Sequence, residues 1–140
     1  MDNETLVFDI GNDILGIYSV EDNEYIPYRG SKMKDAVDSL LKAKEIVSYN
    51  GKDYDIMEIN RLFDDAFVKF TGTHSDMREV CWSARIRGKS LRDTYAMQYS
   101  ESPDFPDTYE GSNERDVYET YMLWRAWKND ELVVIDGNQT

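Results

Sequence analysis

The stretch that most constrains the fold is Leu6-Val7-Phe8-Asp9-Ile10-Gly11. A short apolar run rich in β-formers and closed by Gly11-Asn12-Asp13 predicts a buried strand followed by a turn. Asp9 lies inside that run. Asp is depleted in strands, and an unpaired carboxylate in an apolar interior is costly. Asp9 therefore has two readings. It ends a central strand and faces a cation or a polar cleft, or it opens the turn and binds nearby backbone N–H groups.

Downstream, Ile14–Val20 reads as a second strand, Glu21-Asp22-Asn23 as a turn and Glu24–Tyr28 as a third strand. Residues 5 to 28 thus predict an antiparallel meander, with Pro27 marking an edge. Ser31 is an expected N-cap for a helix whose face is Met33, Ala36, Val37, Leu40 and Leu41. The β-rich Glu45–Tyr49 follows, and strand–helix–strand order implies a parallel crossover. After the Asn50-Gly51 turn, a second helix is expected from near Asp53. Its apolar face runs from Ile56 through Ile59, Leu62, Phe63 and Ala66 to Phe67, and Thr71-Gly72-Thr73 ends it.

Asp76-Met77 to Trp82 suits a short strand or the start of a helix. Ser90–Met97 suits a short helix with Leu91 and Tyr95 on one face. Residues 99–111, with Pro103, Pro106 and Gly111, predict a loop. A last helix is expected from Ser112 or Asn113 to about Trp127, lined by Val117, Thr120, Tyr121 and Trp124. Leu132–Ile135 suits an edge strand or a docking tail. The expected architecture is one α/β domain over residues 1–140, with a mixed five-stranded sheet and helices on both faces.

Composition narrows the function. Hydrophobic residues make up 41% of the 140, enough for a real core. One cysteine, Cys81, excludes an internal disulfide and fits a reducing compartment. No basic region followed by an apolar stretch opens the chain, and no apolar run approaches a membrane span, so a cytoplasmic, intracellular protein is expected. With 28 acidic against 16 basic residues the net charge is −12. Such a field repels phosphates at long range, so any nucleic-acid contact must be local or bridged by metal ions.

Three carboxylates stand out by placement: Asp9, Asp55 after the Asn50-Gly51 turn, and Asp116 in the expected first turn of the last helix. Each also has a structural reading. Asp55 suits a helix N-terminus electrostatically, and Asp116 suits a capping box with Asn113. Together they lie where segments converge at the carboxyl end of a parallel sheet, the usual place for ligands. An all-carboxylate group without a His or Cys cluster suits Mg²⁺ or Mn²⁺ rather than zinc.

Three segments carry a family resemblance: Val7-Phe8-Asp9-Ile10, then Tyr49-Asn50-Gly51-Lys52-Asp53-Tyr54-Asp55, then Asn113 through Thr120. In order and content they resemble the motifs of the DEDD, or DnaQ-like, 3′–5′ exonucleases of ribonuclease H-like fold. The nearest flavour is the proofreading domain of phage-type family A DNA polymerases. The resemblance implies two divalent cations held by four carboxylates, one activating water and the other stabilising the leaving 3′ oxygen. By position, Asp9, Asp55 and Asp116 match three of those ligands, and Asn50 matches a substrate-side residue. The implied substrate is the 3′ end of single-stranded DNA or RNA.

Two positions depart from the pattern. The family's Asp-x-Glu has Gly11 in place of Glu, and its water-orienting Tyr is replaced by Ser112. Asp13 and Tyr109 lie near these gaps, and the only histidine, His74, is expected in a turn. Arg85, Arg87, Lys89 and Arg92 gather near Trp82, which suits either a single-strand track or a solvated basic turn. Two functions follow: an impaired metal-dependent 3′–5′ exonuclease, or an inactive pseudo-nuclease that binds a protein as an inhibitor or polymerase accessory.

Overall fold

The computed structural model describes residues 4–134. Strands β1 (Thr5–Gly11), β2 (Ile14–Ser19) and β3 (Glu24–Arg29) form the expected meander. Strands β4 (Glu45–Ser48) and β5 (Thr73–Asp76) pair in parallel on the other side of β1, giving the order β3-β2-β1-β4-β5. Pro27 falls on the edge strand β3, where its missing N–H breaks no ladder.

The alternation of β1 sets the two layers. Leu6 and Phe8 face helix α1 (Met33–Lys42), packing with Leu15, Leu40, Ile59 and Phe67. Val7 faces the opposite layer with Val47, Met77, Cys81, Val117 and Leu123. Fully burying a side chain such as Phe8 or Leu40 contributes about 1.5–3 kcal/mol. Among the described residues, no helix is long and apolar enough to cross a membrane.

Several elements differ from the sequence reading. Ser31 lies in a 3₁₀ turn before α1 and makes no capping bond. Helix α2 (Asp55–Leu62) starts two residues later than expected and stops at Leu62. Asp64 and Asp65 take left-handed backbone angles, φ 51° and 57°, which end the helix. Asn60 then accepts the Phe67 N–H at 2.9 Å and holds a short 3₁₀ turn, so Phe67 reaches the core while Leu62 stays 44% exposed.

The fifth strand is Thr73–Asp76, a segment without apolar alternation. It replaces the expected end of helix α2 and places His74 in the sheet rather than a turn. Residues 132–134 form no strand, and Ile135 lies outside the described residues. Helix α3 (Met77–Ser83) begins where Asp76 caps it, which settles the ambiguity at that point. Helix α4 (Leu91–Ala96) is capped by Ser90 as expected.

Helix α5 (Tyr109–Lys128) starts a turn earlier than the sequence suggests. Thr108 Oγ1 accepts the Gly111 N–H at 2.9 Å. Gly111 allows this start, because a Cβ there would run into the Pro106 carbonyl. Asn113 is therefore inside the helix and caps nothing, and Asp116 sits beyond the first turn. Buried Asn113 instead clamps the sheet. Its Nδ2 donates to the Asp9 carbonyl at 3.0 Å, and its Oδ1 accepts from Tyr25 Oη at 2.6 Å. Opposite Asp9, Gly16 leaves the space for that amide, which a Cβ would strike. Asn113→Ala strands two polar partners, so chemical denaturation is expected to show a loss of about 2–4 kcal/mol.

Candidate active site

The carboxyl ends of β1, β4 and β5 open at one edge of the sheet. Asp9 reaches that edge from β1, Asp55 from the first residue of α2 and Asp116 from α5. Asp55 is 6% exposed. The Ile10 amide donates to its carboxyl, while Oδ2 is buried with no hydrogen-bond partner. Burial, then the charge of Asp76, with a smaller push from Asp116, raises the Asp55 pKa to about 7. Asp9 is half-buried, and its carboxyl is held well above the usual range by desolvation and by the charges of Asp55 and Asp116. Burial also raises Asp116, against the pull of Arg115 and Arg92.

The three acids are thus electrostatic neighbours. Among the described residues, however, no three His, Cys, Asp or Glu side chains are already grouped so as to hold a metal ion. The unpartnered Asp55 Oδ2 and the all-oxygen donor set nonetheless fit a hard divalent cation.

Asp76 is a site residue that the sequence reading missed. Its Oδ1 accepts the Asn50 N–H at 2.7 Å and the Arg78 N–H at 3.0 Å, and its Oδ2 faces the Lys52 N–H at 3.3 Å. It pins the Asn50-Gly51 turn, in which Asn50 is left-handed at φ 62°. Gly51 donates to Ser48 Oγ at 3.1 Å, and Ser48 Oγ lies 2.7 Å from His74 Nε2. Burial lowers the His74 pKa to about 4, so the ring is a neutral strut under the turn. The available signal was Asp76 itself, a capping residue directly before the Met77 start of α3.

Glu119, also missed, is a buried carboxylate one turn beyond Asp116. It lies 3.4 Å from Arg92 Nη1, and neither of its oxygens is hydrogen-bonded. Its spacing of three from Asp116 could have pointed to it. Arg92, on α4, thus pairs with Glu119 of α5 rather than with the surface around Trp82. There, Arg78 stacks 4.6 Å and Arg87 5.7 Å from the Trp82 ring, and Arg87 Nε donates to the Trp82 carbonyl. Arg85 is exposed with φ 66°.

The two gaps can now be located. Gly11 lines a cleft of about 630 Å³ with Asp13, Asp53, Tyr54, Asp55 and Met57, and a Cβ at Gly11 would meet nothing within 4 Å. Ser112 is half-buried in a second cleft with Arg92 and Arg115. Tyr109 is 70% exposed at the start of α5.

A family model of the RNase H superfamily matches residues 11–133. With this sheet order and these flanking helices, the chain belongs to the RNase H superfamily and has its nuclease-like, nucleic-acid-processing fold. Comparison with curated proteins gives no match.

Proposed function

We propose that the chain is a 3′–5′ exonuclease-like domain of DnaQ type, acting weakly on single-stranded DNA or RNA with Mg²⁺ or Mn²⁺. The observation that supports this reading is that Asp9, at the carboxyl end of β1, Asp55 and Asp116 are electrostatic neighbours, with one Asp55 oxygen left unpartnered. Asp9, Asp55 and Asp116 would hold the cations. When bound, these supply the charge that activates water and stabilises the leaving 3′ oxygen. Asp76 sets the turn that presents Asn50 to the substrate strand. Trp82, with Arg78 and Arg87 against its ring and Arg85 close by, offers a stacking surface for that strand. Gly11 removes one charged oxygen from the cation set, and Ser112 removes a water-orienting phenol, so turnover is slow.

The test is direct. Millimolar Mn²⁺ is expected to raise the melting temperature by a few degrees, because stabilisation follows occupancy, and Asp9→Asn abolishes the shift. A 3′-labelled single strand should be shortened slowly by the unmodified chain and not by Asp9→Asn. Absence of divalent binding by calorimetry would sink this reading.

A second reading, an inactive scaffold that binds a protein, is favoured by the same cleft. Asp13, Asp53 and Glu58 wall it, and Tyr54 and Met57 stand exposed at its rim. Binding of a partner undiminished by Asp9→Asn, with no cleavage in Mn²⁺, would select it.

A further inference from the structure

A separate groove lies along α5 on the side of β2 and the edge strand β3. Its volume is about 410 Å³, within the range of small-ligand sites. Five half-buried aromatic rings wall it: Tyr18, Tyr25, Phe105, Tyr118 and Tyr121. Tyr18 and Tyr121 pack at 4.8 Å between centroids, and Phe105 and Tyr118 at 5.8 Å. From α5 the lining residues include Glu114, Val117, Tyr118, Tyr121 and Arg125, one stripe of helical spacing.

The charged groups are the first and last of these α5 residues. Glu114 and Arg125 both line the groove. They are three helical turns apart, about 16 Å along the axis. Among the described residues neither makes a salt bridge. Arg125 is exposed and rests its guanidinium 5.7 Å from the Tyr121 ring. An aromatic trough with a carboxylate at one end and a guanidinium at the other suits a particular shape of ligand. That ligand has a flat ring with N–H donors at one end and an anion at the other.

We propose that this groove binds a nucleotide, either a free nucleoside monophosphate or a unit of a single strand. The base lies on the Tyr18–Tyr121 side, and stacking on aromatic rings tolerates any base. An exocyclic amine of adenine, guanine or cytosine donates to Glu114. The phosphate takes the Arg125 guanidinium, whose planar fork matches it. This assignment does not depend on the carboxylate site, which lies at the sheet edge beyond Asn113.

The experiment is a titration of the full chain in EDTA, followed by amide NMR shifts. The probes are AMP, GMP, CMP and UMP, the matching nucleosides, and a short oligonucleotide. The nucleotides with an amine are expected to bind more tightly than UMP and to shift Tyr121 and Tyr18. Arg125→Ala weakens the monophosphates about tenfold and leaves the nucleosides unchanged. Glu114→Gln narrows the preference over UMP. Both residues are outside the core, so these variants keep the fold, and Asp9→Asn binds as the parent does. Binding of the oligonucleotide that exceeds every monomer, with the same response to Arg125→Ala, identifies the strand as the source. No saturable binding of any probe would overturn the assignment. So would binding that Asp9→Asn abolishes and Arg125→Ala leaves untouched.

Discussion

Without divalent cations, Asp55→Asn is expected to stabilise the protein at pH 8 and to leave it nearly unchanged at pH 4. The folded chain holds the Asp55 carboxyl at about 7, against an ordinary value of 3.8. A raised carboxyl pKa means that the native state binds the proton more tightly than the unfolded chain does. Its contribution is therefore complete below pH 4 and is lost as the pH rises through 7. Above that, an ionised Asp55 stands buried against Asp76 and Asp116. Asn keeps an oxygen for the Ile10 amide and removes the charge. The expected gain at pH 8 is on the order of 2–4 kcal/mol, read by chemical denaturation. His74 bends the curve the other way in acid. Its pKa is lowered to about 4, so the unfolded chain takes up its proton first and stability falls as the pH drops from about 6.5. In Mn²⁺ the order should invert, because the parent gains from occupancy that Asp55→Asn forfeits. A parent more stable than Asp55→Asn at pH 8 in EDTA would refute this account of the carboxylates.

The second large effect is on turnover. Gly11→Glu with Ser112→Tyr is expected to raise Mn²⁺-dependent shortening of a labelled single strand by about 10²–10⁴-fold, the usual worth of a positioned acid–base or orienting group. Position 11 has no left-handed backbone and open space around its Cβ. A glutamate there faces the cleft that Asp55 lines, at no packing cost. Position 112 is one helical turn before Asp116, on the same side of α5. The two positions line separate clefts, so each single variant is measured beside the double to show whether their effects multiply. A double variant as slow as the parent would mean that the cleft does not admit a strand.

Much of the fold was legible because β1 to β4 and α1 carry strong periodicity, and Pro27 announced its edge. The failures have specific causes. Strand β5 is short and reads Thr-His-Ser-Asp, so no apolar pattern marks it. Its place is fixed by parallel pairing with β4, a tertiary effect. Helix α2 was overextended because its apolar spacing continues through Phe67. The left-handed turn at Asp64 and Asp65 depends on backbone angles that spacing does not encode. The start of α5 was hidden by Gly111, which reads as a loop residue until the Pro106 carbonyl is seen packed against it.

In the site, Asp9 and Asp55 were marked by a carboxylate in an apolar run and by a turn. Asp76 and Glu119 were not, because their significance lies in partners 24 to 27 residues away in sequence. Arg78 was passed over for a similar reason. It is four residues from Trp82 and meets its ring only once α3 forms.

The Asn113 amide has a consequence for the geometry of the acids. It fixes α5 to the backbone of Asp9, not to its carboxyl group. The separation between the strand that bears Asp9 and the helix that bears Asp116 is thus gauged by neutral atoms. Neutralising either acid leaves that gauge in place. The spacing of the cleft is a property of the scaffold, and its charge can be rewritten residue by residue without resetting the frame.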